Sequence, residues 1–295
     1  MPELPEVQTT VNGLDKILPG LKIKGVWSDW EKMVKDHSFS HFKKEVVGKK
    51  FLGAKRRAKN ILINMSRGKT ILIHMKMTGH LLYGKYQYVG GRWLPVEKGP
   101  LNDPFNRFIH FVFILSNRKH LVFCDTRKFG KITLIETANL PHSPHLAHLG
   151  PEPLEKKFTI KNFIECLNKR PNGKIKQVLL DQTIIAGIGN IYSDEMLFLS
   201  KIHPEMRVCD MSNIKIKALY KTMKVVLKKG ILFGGDSMSD YRNVNGEKGA
   251  FQEKHNAYRR TGKKCPLKNC RGVILRKMVG GRSSHFCSTH QKKHG

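Results

Sequence analysis

Four residues near the C-terminus have the types and spacing of a metal-ligand set: Cys265, Cys270, Cys287 and His290, in the pattern Cys-x4-Cys-x16-Cys-x2-His. Two short-spaced pairs of N/S donors, separated by a possible hairpin "RGVILRKMVGGRSSHF", supply the four ligands of one tetrahedral zinc ion. They leave no open position, so the ion is expected to be structural. His285 or His294 could replace His290, although the two-residue spacing from Cys287 favours His290. A disulfide reading leaves one of the three cysteines unpaired and requires an oxidising compartment for which there is no signal. Cys124, Cys166 and Cys209 stand alone in apolar or helical pattern and read as ordinary thiols.

A second candidate lies at the other end, in "MPELPEVQT". Removal of Met1 would expose Pro2 as an α-amine. Such a group titrates near 8, against about 10.4 for lysine, so at pH 7.5 roughly a quarter is unprotonated and able to act as a nucleophile. A secondary amine attacking a sugar C1′ gives an iminium that is already cationic, an electron sink for elimination. Glu3, one residue away, could give or take a proton in the same site. On chemistry alone the alternative stays open that Pro2 and Pro5 merely shape the lead-in to a first helix.

These groups need elements to hold them. Val7, Val11, Leu14 and Leu18 recur at three to four residues and predict an amphipathic helix closed by Pro19-Gly20. From Leu21 to about Glu136 the period becomes that of strands, in "KKFLGAKRRAKNILINM", "KTILIHMKM", "RFIHFVFIL", "KHLVFCDT" and "KITLIE", with "SNRK" as a hairpin turn. The proline-rich stretch "PHSPHLAHLGPEPLEKK" reads as a linker. Helical period follows in "TIKNFIECLNKR", "KIKQVLLDQ", "NIYSDEMLFLSKI" and "NIKIKALYKTMKVVLKKGILF", before a Gly/Ser/Asn-rich loop. The expected fold is α+β and multidomain. An antiparallel β-sandwich with flanking helices occupies 1–140 and a linker 141–157. A helical domain with its loop fills 158–256, and a β-hairpin metal module 257–295.

Charge narrows the partner. The 295 residues carry 54 Lys+Arg against 23 Asp+Glu, a formal +31. That surplus exceeds what solubility asks and points to a polyanion, with nucleic acid first. From Lys49 to Leu82, and again from Lys254 to Gly295, basic residues accumulate without a single acid inside patterned sequence, which suggests folded basic surfaces. The longest apolar runs, such as Phe111–Leu115, are too short for a membrane span or signal-peptide core. A soluble intracellular protein is expected.

"MPELPEVQT" resembles the start of the formamidopyrimidine-DNA glycosylase/endonuclease VIII family, and the order of the remaining elements is similar over essentially the whole chain. "LLDQTIIAGIGNIYSDEMLF" is similar to the family's helix-two-turn-helix, "SDYRNVNGEKGAFQEKHNAY" to the lesion-covering loop of its formamidopyrimidine branch, and the C-terminal block to its zinc finger. Leu4 and the loop favour the oxidised-purine branch.

The resemblance implies a base-excision-repair glycosylase and abasic-site lyase. Its substrates would be 8-oxoguanine and formamidopyrimidines in damaged double-stranded DNA. It would work as a monomer in the cytoplasm or nucleoid of a prokaryote-like cell. The resemblance makes Pro2 the nucleophile, Glu3 the acid/base and Glu6 the residue that supports the pocket. Lys59 becomes a grip on the phosphate beside the lesion. Met77, Arg127 and Phe129 become the trio that fills the hole left by an extruded base, offsetting part of its unstacking cost. Lys176, Asn190 and Arg282 match phosphate contacts, with Gly187 and Gly189 allowing close backbone approach before a helix N-terminus. Tyr241 lies in the covering loop, whose composition suggests ordering only on a flipped base.

Some features depart from the family pattern. The finger has a four-residue first spacing and a histidine as last ligand, Lys128 stands where arginine is usual, and Gly84 to Phe105 looks like an enlarged loop of unknown role. Endonuclease VIII-like action on oxidised pyrimidines, or binding of damaged DNA without catalysis, remain as alternatives.

Overall fold

The computed structural model describes residues 1–293. His294 lies outside them, as does Gly295. The chain divides into two compact units. The first takes Met1–Ala147 and Phe233–Gln252, and the second His148–Leu232 and the chain from Glu253 onward. The division falls inside the proline-rich 141–157. The loop 233–252, expected with the helical domain, instead belongs to the first unit, because its hydrogen bonds run there.

The first unit begins with helix α1 (Leu4–Ile17), which starts three residues before the apolar period suggests. The Glu3 backbone N–H donates to the Glu6 carboxylate at 2.7 Å, and Pro5 occupies the first turn, where its missing N–H costs nothing. The acidic, proline-rich opening is thus the cap and first turn of this helix.

Strands β1 (Ile23–Ser28) and β2 (Val34–Lys35) follow, then helix α2 (Phe39–Val46). The sequence gives α2 only a faint signal: a Ser38 cap accepting from His41 N, then Phe42 and Val46 one turn apart, which both bury. Strands β3 (Phe51–Arg57), β4 (Asn60–Met65), β5 (Lys69–His74), β6 (His80–Gly84), β7 (Tyr86–Val89), β8 (Arg92–Pro95), β9 (Ile109–Leu115), β10 (His120–Cys124) and β11 (Lys131–Glu136) complete the unit.

One sheet has the order β1-β9-β10-β6 and the other β2-β11-β5-β4-β3; all pairs are antiparallel except β2 with β11. Between the sheets lies one core, in which Ile61, Ile71 and Ile73 of one sheet meet Phe111, Phe113 and Phe123 of the other. The α1 stripe Val7-Val11-Leu14-Leu18 packs into the same core. The outer face of the four-stranded sheet is apolar too, and the enlarged loop covers it. Its β7–β8 hairpin turns at Gly90-Gly91, both at positive φ as a two-residue hairpin requires. Trp93 and Tyr88 of that hairpin pack on Trp27 with ring centroids 5.9 and 5.5 Å away.

The second unit contains α3 (Ile160–Asn168), α4 (Ile175–Leu180), α5 (Asn190–Leu199), α6 (Asn213–Leu232) and the hairpin β12 (Ile274–Val279)–β13 (Arg282–Cys287). Thr159 and Asn162 cap α3 reciprocally. Helix α5 is buried nearly all round, including the acids Asp194 and Glu195, so both must be satisfied by hydrogen bonds. Glu195 accepts from the backbone amides of Asn256, Ala257 and Tyr258 at 2.8–2.9 Å, fixing the chain that leads to the cysteine cluster. Among the described residues no helix is long and apolar enough to cross a membrane.

Candidate active site and metal cluster

Pro2, Glu3 and Glu6 are all buried at the head of α1. The Glu6 carboxylate accepts two backbone N–H groups: Glu3 at 2.7 Å through Oε2 and Asp236 at 2.8 Å through Oε1. It thus ties the N-terminal residues to the loop 233–252. Tyr241 of that loop donates its hydroxyl to the Glu6 carbonyl oxygen at 3.0 Å and is itself buried, with burial pushing the phenol well above its ordinary range. As placed, Tyr241 supports α1 and does not present its hydroxyl outward. The loop, expected to order only on a flipped base, is already stitched to α1.

An open pocket of about 380 Å³ lies beside Met1, walled by Met77 and Phe129 and by four lysines, Lys35, Lys76, Lys128 and Lys131. Four ammonium groups without an acid among the lining residues suit a phosphate-bearing ligand. Burial first, and then the nearby Lys131 charge, lower the Lys76 pKa. Phe129 is 49% and Met77 39% exposed, so both apolar side chains are open at the pocket wall. The Arg127 guanidinium stacks over the Phe129 ring at 4.5 Å. The expected trio is therefore placed on neighbouring turns.

Asp125, which the sequence did not single out, builds those turns. Its Oδ1 accepts from the Thr78 hydroxyl and, at 3.3 Å, from Arg127 N; its Oδ2 accepts from Gly130 N at 2.7 Å. The signal was present in "DTRKFG", where an aspartate two residues before an arginine suits an Asx-turn. Lys59 sits at the β3–β4 turn next to Ala58 at positive φ and is largely buried. It contributes, after burial and Lys76, to holding the nearby His74 imidazole neutral, with a pKa lowered to about 3.

In the second unit Gln182 closes the "GIGN" turn by accepting from Gly187 N and donating to the Ile188 carbonyl, both at 2.8 Å, and Asn190 opens α5. The sequence missed Gln182, whose role depends on the turn folding back. Lys176 departs from expectation. Its side chain is 0% exposed and its ammonium donates to Asp194 Oδ1 at 2.6 Å, Ser193 Oγ at 2.8 Å and the Asn190 carbonyl at 3.0 Å. An ammonium so enclosed holds the start of α5 in place and does not reach a phosphate. Arg282 is exposed at the tip of the β12–β13 hairpin, in a separate pocket shared with Arg170 and Gln177.

Cys265, Cys270, Cys287 and His290 converge, with their ligand atoms all within 4.8 Å of one another. The Cys270–Cys287 sulfurs are 3.6 Å apart, and His290 Nδ1 lies 3.6 Å from the sulfurs of both Cys265 and Cys270. An ion about 2.3 Å from sulfur and about 2.0–2.1 Å from nitrogen at tetrahedral angles needs S–S edges of about 3.8 Å and S–N edges of about 3.6 Å. The residues present fit such an ion. His285 does not compete, because its backbone N and Nδ1 both lie 2.9 Å from Asp194 Oδ2. Ser284 Oγ donates to Asp194 Oδ1 at 2.7 Å, so one buried aspartate anchors the hairpin to α5. Glu205, drawn down to a pKa of about 2 by Lys174 and Lys277, links the same hairpin to the start of α4.

Comparison with known proteins agrees with this geometry. Residues 1–132 match the family model "Formamidopyrimidine-DNA glycosylase N-terminal domain", and residues 149–242 match the "Formamidopyrimidine-DNA glycosylase H2TH domain". The chain is 41% identical over 292 residues to a formamidopyrimidine-DNA glycosylase of Pelotomaculum thermopropionicum, covering 99% of each. It is 38% identical over 295 residues to that of Desulforamulus reducens, again covering 99% of each. Among solved structures, complexes of Lactococcus lactis Fpg with DNA containing N7-benzyl-Fapy-dG or an abasic site superpose with TM-score 0.85 at 34% identity, over 99% of this chain and 100% of theirs.

Proposed function

The chain belongs to the formamidopyrimidine-DNA glycosylase family, and from that premise we propose that it excises oxidised purines, 8-oxoguanine and formamidopyrimidines, from duplex DNA and then cleaves the strand at the abasic site. The observation that carries the reading is the buried Pro2–Glu3–Glu6 head of α1 beside a lysine-rich pocket walled by exposed Met77 and Phe129.

In the described chain Met1 precedes Pro2, whose nitrogen is therefore an amide; removal of Met1 frees it as a secondary amine. That nitrogen attacks the sugar C1′, the glycosidic bond breaks, and the base leaves with a proton. Opening of the deoxyribose ring gives an iminium between Pro2 and C1′, with Glu3 placed to assist the proton transfers. Loss of a C2′ proton expels the 3′ phosphate, and δ-elimination then expels the 5′ phosphate. Glu6 has no exposed oxygen to spend on chemistry; it orients Glu3 through its backbone. Lys59 and the pocket lysines neutralise flanking phosphates. Arg127, Met77 and Phe129 occupy the space left by the extruded base.

Asn190, with the N-terminal amides of α5, and Arg282 contact the phosphate backbone, and Lys176 and Gln182 support Asn190. Zinc is the ion that three thiolates and one imidazole select, and it supplies rigidity to the hairpin carrying Arg282. Action on chromosomal DNA places the protein with the nucleoid of a bacterial-type cell.

Sodium borohydride reduction tests the reading. Duplexes with 8-oxoguanine opposite each base, and one with thymine glycol, should show covalent trapping and strand cleavage favouring the oxidised purine. Pro2→Gly, or an N-terminal extension, should abolish most trapping. An adduct that survives both changes would overturn the assignment of Pro2, and tight binding of all duplexes without cleavage would replace the enzyme with a binding protein.

A further inference from the structure

The loop 233–252 is held from two sides. On one side is α1, through Glu6. On the other is the segment 99–107 that follows the β7–β8 hairpin. Arg242, 1% exposed, curls the loop upon itself by donating from one nitrogen to the carbonyls of Ser239 at 2.9 Å and Tyr241 at 2.8 Å. Its other terminal nitrogen reaches Asp103 Oδ1 at 3.1 Å, and its plane covers the Phe105 ring at 4.8 Å. Three residues further along, the Asn106 amide donates to the Gly246 carbonyl at 3.3 Å and to the Pro100 carbonyl at 2.9 Å. Gly246, at φ +86°, approaches Pro100 so closely that a Cβ there would stand 2.8 Å from its carbonyl. Asn106 is in turn oriented by buried His80, whose Nε2 lies 2.9 Å from Asn106 Oδ1. Since the Asn106 amide nitrogen already serves two carbonyls, its oxygen must accept, which makes His80 Nε2 the protonated nitrogen.

We propose that Asp103 and Asn106 are positioning residues that clamp the loop 236–249 into its closed form before DNA arrives, so that the enlarged 84–105 segment and the Asn106 that follows it set how readily a base-bearing lesion is accepted. This deepens the functional reading above and rests on it. The physical argument is one of ordering cost. A glycine-rich loop that had to order on the flipped base would spend binding free energy doing so, whereas a loop stapled through a buried arginine has lost that freedom already. Neither residue touches the reacting atoms. An abasic site has no base for the loop to cover, so its cleavage is independent of the clamp.

The test uses full-length Asp103→Asn, Asp103→Ala and Asn106→Ala, with melting curves to confirm folding. In the free protein, hydrogen exchange of the amides 238–246 should be slow in the wild type and about ten- to a hundred-fold faster in Asp103→Ala, the range for loss of one buried charge-assisted hydrogen bond. Asp103→Asn should lie between. On DNA, kcat/KM for 8-oxoguanine excision should fall about ten-fold, mostly in KM, while cleavage of an abasic duplex stays within about two-fold. Exchange that does not change in the variants overturns the clamp, whatever the enzyme does. Faster exchange with an unaltered ratio of base excision to abasic cleavage overturns its role in lesion acceptance. A wild type that cleaves neither duplex refutes the functional reading, and the exchange data then still decide whether the clamp exists.

Discussion

Replacing Glu6 by glutamine removes one charge and changes almost no volume, so its effect isolates what the carboxylate does. In the wild type each oxygen accepts one buried backbone N–H, from Glu3 at 2.7 Å and from Asp236 at 2.8 Å. A glutamine offers one acceptor oxygen and one NH2, and the NH2 must face a second donor. One of the two N–H groups therefore loses its partner inside a buried site, which costs about 1–3 kcal/mol, and the surviving bond drops from charge-assisted to neutral, about 1 kcal/mol more. The sum of about 2–4 kcal/mol should lower the melting transition of the first unit by roughly 4–16 °C, given about 2–4 °C per kcal/mol at this size. Exchange at the Asp236 amide should accelerate by at least about five-fold, because that N–H is either unpaired or weakly paired. Borohydride trapping should fall as well, since the Glu3 backbone is no longer held. A variant that melts within about 1 °C of the wild type with Asp236 still protected would refute the bridging role of Glu6.

Asp125→Ala should leave the sandwich folded but loosen the turns bearing Met77, Arg127 and Phe129, since three donors lose their acceptor; excision opposite an intact strand should drop by ten-fold or more, whereas an unchanged rate would show that the turns hold themselves. His80 is buried and its imidazole pKa is lowered by that burial to about 4, with the Asn106 hydrogen bond opposing. The unfolded chain takes up this proton near pH 6.5 and the folded chain only near 4, so stability falls as pH drops across that window, by up to about 3 kcal/mol. Urea titrations at pH 7 and pH 4.5 should show that slope, and His80→Gln should reduce it, leaving the part that buried His74 contributes in the same direction; a slope unchanged by the substitution would remove His80 as a cause. Chelation of an ion held by the cysteine cluster, or His290→Ala, should detach the β12–β13 hairpin from the small core in which Ile274 and Cys287 meet Phe198 and Ala257, and abolish DNA binding measured by anisotropy, while α5 keeps its helical signal. Binding that persists in metal-free protein would separate Arg282 from the interface.

Much of this protein was legible in local pattern. The cysteine and histidine spacing named the cluster because ligand pairs must sit on short turns. Apolar periods of two and of three to four placed the strands of the sandwich and the helices after residue 158. The Pro and Glu residues of the first six positions stood out by composition, and their part as a helix cap emerged only from the 2.7 Å bond between Glu3 and Glu6.

Tertiary structure alone decided which charged side chains face inward. Lys176 looks like any basic residue of a basic chain, and only its pairing with Asp194, eighteen residues on, shows that it is enclosed. Arg242 and Asp103 are 139 positions apart, and nothing in either neighbourhood announces the other. The same holds for the assignment of loop 233–252 to the first unit and for the use of 84–105 as a cover over the outer sheet face. Periodicity is a property of neighbouring residues and survives in the sequence. The burial of a charge is a property of whatever else packs against it, and exists only once distant segments meet.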